Sequence, residues 1–170
     1  MSDVPFDRIV RTYGEALSRV AWGYVDGAAD HDDLMQDILV AIWQALPRFR
    51  GDSSERTFVF RIAHNRGCSF ITRRRHDEPL NANTPIADPR PGPDDILDDA
   101  GRRERLTRAV RTLPEAQRQA VLLRLEGFSL GEIAALQATS EANVSVRLTR
   151  GRDRLRELLG GSGRGRGSDA

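Results

Sequence analysis

The 170 residues, with one cysteine and a formal net charge of +1, suit one ordinary domain or two small ones and exclude a disulfide scaffold. No apolar run approaches the roughly 18 residues that span a bilayer, and Asp3, Asp7 and Arg8 interrupt any signal-type start, so a soluble protein of the cytoplasm is expected. Charge runs in blocks, −5 over residues 1–47, +6 over 48–76, −6 over 77–101 and +5 over 102–159, with all 26 cations Arg, which points to two polyanion-facing surfaces on one chain.

Helical periodicity dominates, and no alternating strand pattern stands out. Phe6, Ile9, Val10, Tyr13, Leu17, Val20, Ala21 and Tyr24 form the stripe of a first helix. A turn around Gly27 leads to Asp30–Asp32, capping residues for a second helix. There Leu34, Ile38 and Ile42 make one apolar row, Met35, Leu39, Trp43 and Leu46 the next, and Pro47 closes the run. After a polar loop from Arg48 to Arg56, a third helix is predicted from near Thr57 to about Arg75. Five prolines, at 79, 85, 89, 91 and 93, mark 77–101 as a flexible acidic linker. Leu106, Ala109, Val110 and Leu113 mark a fourth helix, and Pro114 opens a fifth that Gly127 stops. Ser129 and Glu132 read as a capping box for a short helix over 130–137, and Ser140 caps a longer one to about Leu159. Ala134 at the crossing and Val144 packing back complete a helix-turn-helix pattern. The Gly-rich run from Gly160 reads as a disordered tail.

Several side-chain groups point to chemistry. Asp33, Gln36 and Asp37 share one exposed helix face. Arg61, Asn65, Arg73, Arg74 and Arg75 make a cationic ribbon beside Phe58 and Phe60, the combination that single-stranded nucleic acid needs for stacking and phosphate contact. On the last helix, Glu141, Ala142, Asn143, Ser145 and Val146 would meet base edges, while Arg147, Arg150 and Arg154 would track phosphates. His64 and Cys68, four residues apart, are too few ligands for a structural zinc site, and Cys68 is expected to be a small buried thiol. No nucleophile–base pair or phosphate loop appears; no enzyme activity, cofactor or metal is expected.

Two stretches carry a family resemblance. One comprises Asp32-Asp33-Leu34-Met35-Gln36-Asp37-Ile38, Phe49-Arg50-Gly51 and Arg61-Ile62-Ala63-His64-Asn65, leading to Arg73-Arg74-Arg75. The other comprises Leu113-Pro114, Leu130-Gly131-Glu132-Ile133-Ala134 and Asn143-Val144-Ser145-Val146-Arg147-Leu148. Together they resemble the extracytoplasmic-function (ECF) sigma factors of bacterial RNA polymerase. The resemblance implies an all-α chain of two small helical domains. Residues 1–76 would bind core RNA polymerase and melt the −10 element; 102–159 would recognise the −35 element; 160–170 would be the tail. It also implies that Asp33, Gln36 and Asp37 dock on clamp helices of the polymerase largest subunit. The loop Phe49–Arg56 would hold a flipped −10 base, so Phe49 and Arg50 join the ribbon residues as promoter DNA contacts. An anti-sigma factor is a further expected partner. Two departures stand out: Phe58-Val59-Phe60 where the family has Trp-Leu-Tyr, and Gln137-Ala138 where the turn commonly has Leu-Gly. A left-handed turn residue other than Gly costs on the order of 1 kcal/mol, so a slightly different turn, and with it a shifted pose of the recognition helix, is expected. The alternative is a helix-turn-helix regulator whose residues 1–76 serve dimerisation or sensing; a simple regulator needs no second basic segment with aromatics.

Overall fold

The computed structural model describes residues 5–77 and 98–160. Seven α-helices follow one another: α1 (Pro5–Trp22), α2 (Ala28–Ala45), α3 (Glu55–Asp77), α4 (Asp99–Arg111), α5 (Glu115–Leu125), α6 (Leu130–Leu136) and α7 (Glu141–Gly160), with a 3-10 turn at Leu46–Arg48. No strand occurs among the described residues. Residues 78–97 of the expected linker, and the tail beyond 160, lie outside them.

The starts of α2, α4 and α5 differ from expectation. Asp30–Asp32 do not cap α2; Gly27 does so with φ 104, a conformation glycine alone adopts without strain, and the acids fall inside the first turns. There they face the positive end of the helix dipole. Asp98 caps α4, accepting from the Gly101 amide at 2.8 Å, so a helix begins within the expected linker. Pro114 is the capping residue of α5 rather than its first turn. The capping box of α6 forms as expected, Ser129 Oγ accepting from the Glu132 amide and the Glu132 carboxylate from the Ser129 amide.

Helices α1–α3 pack as one group around Ile9, Leu17, Leu34, Ile38, Val59 and Phe60. Helices α4–α7 pack as another around Val110, Leu123, Ile133, Val144 and Leu148, and the buried residues of the two groups join in one continuous cluster. The groups touch. Phe60 meets Phe128 edge-on with centroids 4.9 Å apart, and the Arg56 guanidinium lies 3.8 Å from the Phe128 centroid. Burial of each phenyl ring contributes roughly 2–3 kcal/mol, and the cation adds a smaller increment. Arg56 also donates to the Glu126 carbonyl, and Arg19 forms a two-pronged pair with the Glu126 carboxylate at 2.8 and 2.9 Å. At the other end Arg111 donates to the carbonyls of Trp22 and Val25 at 3.1 and 2.7 Å and pairs with Asp26.

His64 lies wholly inside the first group, its Nδ1 2.7 Å from the Tyr24 hydroxyl. The Tyr24 ring lies so close over Gly67 that a Cβ there would sit 2.6 Å from a ring carbon. Desolvation lowers the imidazole pKa to about 3. The unfolded chain takes up this proton near pH 6.5, the folded chain only near pH 3. Stability contributed by neutral His64 is therefore present above 6.5 and lost as pH falls toward 3. Between pH 7 and pH 5 the loss is expected to be about 2 kcal/mol. His64→Phe, which keeps an aromatic ring and removes the proton site, is expected to abolish most of that decline in urea denaturation curves; an equal decline in both proteins would exclude His64 as its source.

Candidate nucleic-acid interface

Helix α2 sets the first surface. Leu34, Ile38 and Ile42 are buried against α1 and α3, which turns Asp33, Gln36 and Asp37 outward. The row read from sequence as Met35, Leu39, Trp43 and Leu46 is not uniformly packed. Trp43 is 61% exposed and Val40 46%. Trp43 follows Gln36 by two turns, so helical phase places it on the same face as the acids. That phase was the available signal, masked by the habit of assigning tryptophan to the interior.

Helix α3 sets the second. Ser54 Oγ accepts from the Thr57 amide at 3.1 Å and starts the helix two residues earlier than expected. Arg61 and Asn65, one turn apart, are both exposed. Phe49 is half-buried and rests on Phe58 with ring centroids 4.6 Å apart, while Arg50 is exposed. Phe60 does not line an open stacking surface: it is 1% exposed beneath Phe128. The expected cationic ribbon is also divided. Arg73 pairs with Asp37 at 2.6 Å and Arg74 with Asp30, both guanidiniums lying 5.8 Å from the Phe70 centroid. Arg75 instead lines a cleft of about 650 Å³ between the two groups, with Arg111 and Arg118. Arg118 is buried, donates to the Leu113 carbonyl at 3.0 Å and sits 5.5 Å from the Tyr24 ring centroid. Cys68, half-buried at the same place, has its thiol pKa pushed up to about 11 by desolvation.

Helix α7 sets the third. Its apolar side, Val144, Leu148 and Leu155, is buried on α5 and α6, and Gly151 lets it cross close to Val121. The opposite side leaves Glu141, Ala142, Asn143, Ser145 and Arg150 exposed and Val146 47% exposed. Asn143 is ordered before any contact: its amide N–H donates to Ser140 Oγ at 3.2 Å and its side-chain Nδ2 to Thr139 Oγ1 at 3.1 Å. The remaining side-chain N–H and the Oδ1 stay available. Arg147 is half-buried and donates from Nη1 to Gln137 Oε1 at 2.9 Å. The turn carries its strain where sequence placed it, Ala138 at φ 49. Arg154 pairs along the helix with Glu157 at 2.9 Å.

No group of three or more His, Cys, Asp or Glu side chains that would hold a metal is found among the described residues. No described helix is long and apolar enough to cross a membrane.

Comparison with known proteins bears on all three surfaces. The family model for Sigma-70 region 2 matches residues 9–76, and that for Sigma-70, region 4 matches residues 103–155. The RNA polymerase sigma factor CnrH of Cupriavidus metallidurans is 31% identical over 167 residues, covering 91% of this chain and 86% of its own. The ECF RNA polymerase sigma factor SigM of Mycobacterium tuberculosis is 30% identical over 159 residues, covering 91% and 77%. The structure of CnrH with the cytosolic domain of CnrY superimposes with a TM-score of 0.67 at 26% identity, over 92% of this chain and 88% of that one. The sigma factor RpoE with the anti-sigma factor NepR, from Bartonella quintana, shares the fold at a TM-score of 0.69 and 24% identity, over 92% and 98%. The regulator reading accounts for region 4 alone and leaves the region 2 match unexplained. With both regions matched in order and relatives aligned across nearly the whole chain, the protein belongs to the ECF sigma factors, the subunits that direct RNA polymerase to promoters.

Proposed function

We propose the following division of labour. Residues 1–76 act as the region 2-like unit, 77–101 as the connection, 102–159 as the region 4-like unit and 160–170 as a tail. The exposed face of α2, with Asp33, Gln36 and Asp37, docks on core polymerase, and Val40 and Trp43 extend it with apolar area. Aromatic side chains of this kind commonly dominate interface energetics. Phe49, Arg50, Arg61 and Asn65 take the −10 strand, and Arg73 and Arg74 hold its phosphates, joined by Arg75 once the cleft it lines opens. The pairs Arg73–Asp37 and Arg74–Asp30 are partly exposed; exposed pairs contribute only about 0–1 kcal/mol, so a phosphate competes for these guanidiniums. Glu141, Asn143 and Ser145 read the −35 element while Arg147 and Arg150 bind its backbone.

The observation that carries this reading is the presence on one chain of two separate polar, Arg-edged helix faces, α3 and α7, each exposed on the side away from its own core. The chain supplies recognition and strand capture and no bond-making chemistry, and works in the cytoplasm without cofactor. Elements about 25 base pairs apart on B-form DNA lie about 85 Å apart, whereas a compact chain of this size has a radius of gyration of about 15 Å. The seam between the two groups therefore parts on the promoter. Because a related sigma factor is held by an anti-sigma factor, a partner of that class is proposed for this chain as well.

Trp43→Ala is expected to lower affinity for core polymerase by about tenfold or more, and Asp33→Arg to lower it severalfold, with the far-ultraviolet circular dichroism of both unchanged. Unaltered binding by both would remove this face from the interface. In holoenzyme, Arg150→Ala is expected to weaken binding to all promoter sequences alike and to reduce the salt slope by about one. Asn143→Ala is expected to cost about 1–3 kcal/mol at particular base pairs with little change in slope. The reverse pattern would mean that α7 docks in another orientation.

A further inference from the structure

The turn before the recognition helix holds Gln137-Ala138, and the two residues divide an unusual task. Ala138 takes the left-handed conformation, φ 49. Gln137 ends α6 and turns its side chain back toward α5 and α7. Its Nε2 donates to the Ala116 carbonyl at 2.9 Å and to Gln119 Oε1 at 3.1 Å, both on α5. Its Oε1 accepts from Arg147 Nη1 at 2.9 Å. The amide has only one workable orientation, because the Ala116 carbonyl can only accept and the guanidinium can only donate.

One half-buried side chain thus joins α5, the turn and α7. Arg147 spends one of its five N–H donors on this bond and keeps four. An arginine that docks on a phosphate from a freely rotating state loses considerable side-chain entropy; here the loss has occurred before DNA arrives.

We propose that Gln137 is a positioning residue for promoter recognition. It fixes the Arg147 guanidinium in one pose and refers that pose to α5, so that the phosphate contact falls in constant register with Asn143 and Ser145. The turn obtains from the Gln137 amide the definition that a Leu-Gly turn obtains from glycine. This inference rests on the reading of Arg147 as a phosphate contact, and the test separates the two.

The probe is the duplex selected by wild-type holoenzyme from a randomised promoter library. Arg147→Ala is expected to weaken its binding and lower the salt slope by about one. Gln137→Met keeps the length and removes the amide; it is expected to weaken binding roughly threefold to tenfold and to lower the slope in the same direction. In the Arg147→Ala background, Gln137→Met is expected to add less than about twofold, since coupled residues do not act additively. Gln119→Met, which leaves the turn untouched, is expected to repeat the effect at smaller size, and Gln119→Glu to rescue it, because a carboxylate also accepts from Gln137. If Gln137→Met does not fold, the Gln119 pair decides the matter alone. Equal weakening in both backgrounds, or weakening with unchanged slope and no rescue at position 119, overturns the positioning role. An Arg147→Ala protein with unchanged slope and affinity overturns the phosphate reading itself, and the positioning role with it.

Discussion

The last carbonyls of an α-helix have no partner within the helix, and burying them unsatisfied is costly. Backbone amides close much of each helix end in this chain, and guanidinium groups take up carbonyls at the ends and just past them. Arg111 of α4 donates to the carbonyl of Trp22, the last residue of α1, and to that of Val25 just beyond it, and Arg56 of α3 to that of Glu126 beyond α5. Arg124 donates to the Phe128 carbonyl at 2.9 Å, and Arg118 to that of Leu113. Two of these four arginines reach across from one helix group to the other, so closing a helix end and joining the groups are one event. The planar fork of arginine, with several donors in fixed directions, suits this work better than a point-like ammonium, and every cation in the chain is of that kind.

Electrostatic blocks that alternate along the sequence do not stay separate in space. The acidic segment that includes α2 and the basic segment that includes α3 lie side by side, and Asp37–Arg73 and Asp30–Arg74 join them. Asp33, Gln36, Asp37, Arg73 and Arg74 line one groove of about 380 Å³. The surface proposed for polymerase and the cations proposed for DNA therefore share an edge, and occupation of one changes the field at the other.

The helices, the capping box and the strained turn were legible in the sequence because each is set by neighbours within about four residues. The exposure of Asn143 and Ser145 was legible for the same reason: the apolar period of α7 fixes which side is left over. What sequence hid was set by distant partners. Phe60 reads as an aromatic beside a basic ribbon, and only Phe128, far along the chain, makes it core. Arg73 and Arg74 read as a cationic run until α2 supplies their carboxylates. Gly27 hid for a different reason: Asp30 and Asp32 after it satisfy the residue preferences of a cap, whereas the cap itself is a backbone geometry. Trp43 was the converse case, with its phase readable and its identity misleading.

The seam at Phe60, Phe128 and Arg56 has a thermodynamic consequence. On the proposed parting of the seam, molecules with the two groups together and molecules with them apart form one equilibrium, and a partner that needs them apart binds with its intrinsic affinity scaled by the fraction already apart. A partner that grips both groups at once draws the population the other way. The packing of Phe60 beneath Phe128, with the arginine bonds of Arg19, Arg56 and Arg111 beside it, would thereby set the scale on which such partners are weighed.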